Sequence, residues 1–345
     1  MLSFLNDYSE GAHSRVLDAL VQTNFESTVG YGCDEYCAKA AARIRERFAC
    51  PNADVHFLPG GTITNTVAIS SFLRPWEAVI AATTGHINVH ETGAIESSGH
   101  KVCAVEGVDG KLTPEGVERV VLEHRSSPEA VFGDEHMVFP RMVYLSDATE
   151  LGTVYTKEEL SALRAVCDRW GLYLYLDGAR MAPALVCEGN DLRPEDFAQL
   201  CDAFYIGGTK NGLLFGEALV IVNDALKPGV RHMIKQRGGM FAKGRLLGVQ
   251  FDALLQDDLW LETAKHAVAS ARLVRSALLE KGYSLYVESP TNMVFPVLEN
   301  EKMAELQKSV LFDTIARVDE NHTAVRFVCS WATQPERIEQ LRALL

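Results

Sequence analysis

A run of alternating Leu and Tyr ends abruptly in charge at Leu172-Tyr173-Leu174-Tyr175-Leu176-Asp177-Gly178-Ala179-Arg180. A second apolar run, Ala203-Phe204-Tyr205-Ile206, leads into Gly207-Gly208-Thr209-Lys210-Asn211-Gly212. Short apolar runs bounded by small residues predict buried strands. Strands buried on both faces belong to a parallel sheet, and ligands of such sheets sit beyond the C-terminal strand ends. Asp177 and Lys210 are thus delivered to one edge. Taken singly, each has an equal claim to a plainer fate, the acid as a helix cap and the lysine as a surface charge.

Strand-like and helix-like stretches alternate between residues 54 and 222. Strands are predicted at Asp54–Leu58, Ala78–Ala82, Lys101–Val105, Met142–Leu145 and Glu217–Val222. A helix opens after Pro59-Gly60-Gly61-Thr62, another has Thr113 as N-cap with Pro114 in its first turn, and Thr156–Glu159 fits a capping box. This alternation implies an α/β fold with a mainly parallel sheet sandwiched by helices. From residue 245 the pattern changes. One long helical region is expected over Arg245–Lys281, then strands on either side of Ser289-Pro290-Thr291-Asn292, a helix near Met303, a strand at Ala324–Cys329 and a closing helix. The chain is therefore divided into a large domain, 1–244, and a smaller C-terminal α+β domain, 245–345. The first ten or so residues are candidates for packing on the small domain.

The net charge of −13, from 33 Lys+Arg against 46 Asp+Glu, argues against the basic face that nucleic acid requires. No stretch approaches the roughly 20 apolar residues of a membrane span, and the N-terminus lacks the layout of a signal peptide. The eight scattered cysteines read as free thiols of a reducing, cytoplasmic compartment. Cys33 and Cys37 have no second pair at matching spacing, so no metal site is expected.

Gly60-Gly61-Thr62, between a strand and a helix, places backbone N–H groups and the helix dipole where an anion such as phosphate can sit. It is neither a Walker loop nor a dinucleotide fingerprint. His86 and His90 follow a strand end; His86 can stack on a flat heteroaromatic ring or move protons, or serve as a hydrogen-bonded structural histidine. An acid and a lysine at one sheet edge suit a cofactor with a cationic ring nitrogen and an aldehyde, pyridoxal 5′-phosphate. Its pyridinium nitrogen needs a carboxylate partner, and its aldehyde needs an amine. Arg180 and Arg326 are candidates for gripping a substrate carboxylate.

Together these motifs resemble the threonine aldolase and β-eliminating lyase family, within the aspartate-aminotransferase-like fold of pyridoxal phosphate enzymes. The resemblance runs through Asn6-Asp7, Gly30-Tyr31-Gly32-x-Asp34, Gly61-Thr62-x-x-Asn65, His86 with Glu91, Asp177-Gly178-Ala179-Arg180, Lys210-x-Gly212 and Arg326-x-x-x-Ser330-Trp331. It implies Lys210 as the Schiff-base lysine and Asp177 as partner of the ring nitrogen. It further implies His86 stacked on the cofactor, Gly60, Gly61 and Thr62 on its phosphate, and Asn6, Arg180 and Arg326 around the substrate. The implied reaction cleaves a threonine-like β-hydroxy-amino acid to glycine and an aldehyde, with His86 as leading candidate for the base and Glu91 orienting it. β-Elimination and transamination are the alternatives, followed by a silent protein that has kept the fold. A homodimer or homotetramer with shared sites is implied, Gly30–Asp34 crossing between subunits. Asn6 replaces the family's usual Ser, and Arg237–Arg245 replaces its Gly-Gly-Gly-Met-Arg-Gln turn, so substrate choice is the point these departures touch.

Overall fold

The structure is a computed structural model that describes residues 1–125 and 134–345. A seven-stranded sheet lies at its centre. Its spatial order is Asp54–Leu58, Glu217–Ile221, Ala203–Gly207, Tyr173–Asp177, Phe139–Ser146, Glu77–Ala82 and Val102–Val105. Glu217–Ile221 runs antiparallel to both neighbours, and the other adjacent pairs are parallel. The reversal has a simple cause. The segment between Gly207 and Glu217 is too short for a crossover helix, so the chain must turn straight back.

The Leu/Tyr alternation is explained by period two. Leu174 and Leu176 enter one apolar layer, beneath Leu160, Leu163 and Val166 of the Lys157–Trp170 helix. Tyr175, with Tyr144 and Tyr205, points into the opposite layer, beside the Gly61–Phe72 helix. Each fully buried Leu contributes about 1.5–3 kcal/mol through removal from water. The tyrosines bury their rings and still carry a hydroxyl that needs a partner; those partners form the site described below. The Thr156 capping box is present, and Gly171 closes that helix in the left-handed region at φ 61°.

The C-terminal unit is a four-stranded antiparallel sheet ordered Asp313–Arg317, His322–Val328, Met293–Glu299 and Leu285–Val287. The helix Leu259–Glu280 and the closing helix Pro335–Leu344 pack with it. The single helical region expected over Arg245–Lys281 is in fact two helices. Arg245–Leu254 ends before a break in which Asp257 and Asp258 take φ of 48° and 57°. Asp tolerates that conformation better than most residues, and here both carboxylates are engaged, Asp257 by Arg15 at 2.8 Å and Asp258 by Arg47. The break lets Arg245–Leu254 lie against the helices Glu35–Arg47 and Ser14–Gln22, so the packing runs across residue 245. At the other end of the chain, Leu2–Ser3 pairs in parallel with Val310–Leu311, and Phe4 is buried in the C-terminal core.

Candidate active site

Asp177 and Lys210 lie beyond adjacent strands at the same edge, and two glycines set their separation. A Cβ on Gly178 would stand 2.0 Å from the Tyr205 carbonyl oxygen, and one on Gly207 would stand 2.3 Å from that of Ala179. The backbones meet there through Gly207 N–H donating to Gly178 O at 2.9 Å. A one-turn 3-10 helix, Thr209–Asn211, then lifts Lys210 out of the strand.

Asp177 is held by a dense polar network. Its Oδ2 accepts the Tyr144 hydroxyl at 2.6 Å and Asn65 Nδ2 at 3.0 Å, and its Oδ1 accepts the Ala179 N–H at 3.0 Å. Asn65 Nδ2 also donates to Glu91 Oε1 at 2.8 Å, and Tyr175 donates its hydroxyl to Asn65 Oδ1 at 3.0 Å. Glu91 Oε1 in turn lies 2.7 Å from His86 Nδ1. A carboxylate there selects the Nδ1–H tautomer and leaves His86 Nε2 as an acceptor. Burial pushes the Asp177 carboxyl up, but His86 and the hydrogen bonds from Tyr144, Tyr205 and Asn65 outweigh it. The net result is a carboxyl held below its ordinary value, an anion across the neutral range.

Lys210 is the opposite case. Burial pushes its ammonium down and nearby Arg180 adds to the effect, against Asp7, Asp177 and Glu217. A lowered lysine supplies the neutral amine that a carbonyl needs. Glu217 clasps the turn from behind, its Oε1 accepting the Thr209 hydroxyl at 2.7 Å and its Oε2 the Gly208 N–H at 2.9 Å. Burial pushes Glu217 up to about 7.

Of the other expected residues, Arg180 caps the helix just past that edge, Arg326 comes from the C-terminal sheet and Asn6 from the opening segment, each with partners the sequence did not disclose. Arg180 is bound side-on by Asp7, Nε to Oδ2 at 2.7 Å and Nη2 to Oδ1 at 3.0 Å. Arg326 Nη2 meets Asp313 Oδ2 at 2.6 Å, and its guanidinium is pushed down by burial and then by Arg180. Asn6 spends its carbonyl oxygen on the Tyr8 N–H (3.0 Å) and the Ser9 hydroxyl (2.8 Å). His90 stands with its ring centroid 5.4 Å from that of His86. Tyr144, Glu150, Asp7 and Glu217 were missed. Tyr144 and Glu217 had a findable signal, as polar residues near the edge ends of expected strands. Glu150, which accepts the His86 N–H at 2.8 Å and the Ser146 hydroxyl at 2.7 Å, had none beyond its neighbourhood.

The Gly61–Phe72 helix begins without a side-chain cap and without an acid in its first turn. Its first N–H groups are left for an outside acceptor. They adjoin a cavity of about 480 Å³ lined by Gly60, Gly61, Thr62, Thr66 and Arg237. A Cβ on Gly61 would stand 3.1 Å from the Tyr205 hydroxyl, a close approach that favours glycine. An uncapped helix start, an anionic buried carboxylate and a lysine of lowered basicity fit the three ends of pyridoxal phosphate.

Comparison with known proteins identifies the family and the fold. The beta-eliminating lyase family model matches residues 4–301. A low specificity L-threonine aldolase of Pseudomonas aeruginosa is 32% identical over 98% of this chain and 95% of its own. A solved threonine aldolase of Leishmania major is 47% identical, covers 100% of this chain and 98% of its own, and superposes with a TM-score of 0.96. At 16% identity, an aspartate aminotransferase of Thermus thermophilus shares the fold alone, with TM-score 0.74 over 100% of this chain and 90% of its own. The chain belongs to the beta-eliminating lyase family.

Proposed function

We propose that this protein is a pyridoxal phosphate-dependent lyase that cleaves threonine-like β-hydroxy-α-amino acids to glycine and an aldehyde. The observation that carries this is the unbroken chain His86–Glu91–Asn65–Asp177 beside Lys210. It joins a poised imidazole to the acid that serves the cofactor nitrogen. Pyridoxal phosphate, when bound, takes up the electron pair released at the substrate α-carbon. Asp177, kept anionic, would face the ring nitrogen and favour its protonated form. Lys210 would hold the cofactor through its amine, whose basicity is lowered. Gly60, Gly61 and Thr62 hold the phosphate at the helix start.

His86 would cover the ring, and its Nε2 would take the β-hydroxyl proton, directly or through water, with Glu91 on Nδ1 stabilising the charged imidazole. Arg180 and Arg326 would grip the α-carboxylate, and Asn6, next to the Asp7 that binds Arg180, would supply its amide as a further donor. The names of the similar proteins support carbon–carbon cleavage over β-elimination or transamination. Product identification decides. Glycine plus acetaldehyde from threonine is expected; pyruvate and ammonia from a β-substituted alanine, with no glycine from threonine, would make the protein an eliminating lyase instead.

The working unit is a homodimer or homotetramer. Support comes from a segment that leaves apolar side chains in solvent, with Phe25 97%, Val21 73% and Val29 67% exposed, just before Gly30–Asp34. Light scattering across a dilution series checks this, and a monomer throughout would refute it. All eight cysteines are unbridged, which supports a cytoplasmic location. No described helix is long and apolar enough to cross a membrane.

A further inference from the structure

Asp7 belongs by its backbone to one half of the molecule and by its side chain to the other. The segment before it is fastened to the C-terminal unit. Leu2–Ser3 is paired with Val310–Leu311, Phe4 packs edge-on against Phe327 at 6.1 Å, and Phe4 O accepts the Val328 N–H at 2.8 Å. Yet its carboxylate takes Arg180, which starts a helix of the large unit. Asn292, from the C-terminal unit, donates Nδ2 to Asp7 Oδ2 and to Cys329 O, both at 2.9 Å. Asp7 and Asn292 are each 1% exposed.

A guanidinium offers two forked edges for a carboxylate. Asp7 covers the Nε/Nη2 edge, which leaves the Nη1/Nη2 end. We propose that Asp7 is a positioning residue for substrate recognition: it fixes the rotation of Arg180 so that the open fork faces the α-carboxylate of the incoming amino acid, and Asn292 holds Asp7 in that pose. This rests on the assignment of Arg180 to the substrate carboxylate made above. The rival is an Asp7 that imitates the substrate carboxylate and is expelled by it. The Asn292 bond and the anchored segment speak against that, because expulsion would strand a buried charge. Burial opposes both ions, yet each is shifted toward its charged form by the other, as a permanent pair requires.

The test compares Asp7→Asn, Arg180→Gln and the double variant of the loaded enzyme. Its readouts are KM and kcat for threonine, glycine affinity from the cofactor spectrum, and affinity for threoninol, which lacks the carboxylate. Asp7→Asn is expected to raise KM and the glycine Kd by about tenfold or more, with threoninol and pyridoxal phosphate affinities within about twofold. Added to Arg180→Gln, it should have little further effect, since both act through one group. Asp7→Glu should recover part of the loss, and Asn292→Ala should raise KM about threefold. A lower KM in Asp7→Asn would establish the imitation instead. Equal weakening toward threonine and threoninol would reduce Asp7 to a structural tie. An Arg180→Gln variant with unchanged KM would overturn the assignment of Arg180 itself, whereas a raised KM there with an unaffected Asp7→Asn would overturn only the positioning role. If Asp7→Asn does not fold, Asn292→Ala and Asp7→Glu carry the same comparison.

Discussion

The two ends of the site are built differently. The cofactor end draws its ionisable groups, His86, Glu91, Asp177, Lys210 and Glu217, together with Asn65 and Tyr144, from the central sheet and the segments that follow its strands. The end proposed for the substrate carboxylate is gathered from residues 7, 180, 292, 313 and 326, contributed by the opening segment, the large unit and the C-terminal unit. One end is a single sheet edge. The other is assembled from three parts of the chain, and its geometry depends on how they meet. Substitutions at the first should therefore act on turnover, and substitutions at the second on substrate affinity.

Lys210→Ala should have the largest effect, lowering kcat about a thousandfold or more. Borohydride reduction followed by intact-mass measurement should find no pyridoxyl adduct, and an adduct on another lysine would reassign the role. Asp177→Asn comes next, with turnover down about a hundredfold and cofactor affinity largely kept, because the amide cannot hold a proton on the ring nitrogen. A rise in KM instead would erase the contrast between the two ends. Asn65→Leu removes the amide that joins Glu91 to Asp177 and should slow turnover about tenfold while shifting the pH–rate profile, since two buried carboxylates lose their shared donor. An unaltered profile would show that the two carboxylates work independently.

The smallest effect is one of stability against pH. Burial raises Glu217 from an ordinary 4.5 to about 7 in the folded protein. Between those values the folded state holds a proton that the unfolded state has released. Its contribution is therefore greatest below 4.5 and is lost as pH rises toward 7. Glu217→Gln should flatten that decline in urea midpoints; the same slope in both proteins would place the titration elsewhere.

The same contrast explains what was legible beforehand. The cofactor end could be read because strand and turn chemistry are local. Asp177 ends an alternating run, Lys210 follows a glycine pair, and Gly60–Gly61 sits between a strand and a helix. Tyr144 and Tyr175 passed as apolar strand residues, since period-two burial conceals a hydroxyl that is used. At the carboxylate end the two arginines could be read, but their partners could not. Nothing near Asp7 specifies Arg180, and Asp313 beside Arg326 depends on the register of two antiparallel strands. The reversed Glu217–Ile221 strand also escaped notice, because apolar pattern carries no direction. The break at Asp257–Asp258 was hidden for a related reason: the helical periodicity continues on either side of it.

The missing methyl groups at 178 and 207 have a consequence for anyone wishing to alter this catalyst. The strand ends that carry acid and amine meet main chain to main chain, so side-chain redesign in the pocket leaves that contact untouched. Room for bulkier aldehydes is therefore better sought around His86 and His90, whose ring centroids stand 5.4 Å apart on the side proposed for the β-hydroxyl. The spacing that the cofactor sees is as fixed as the sheet itself.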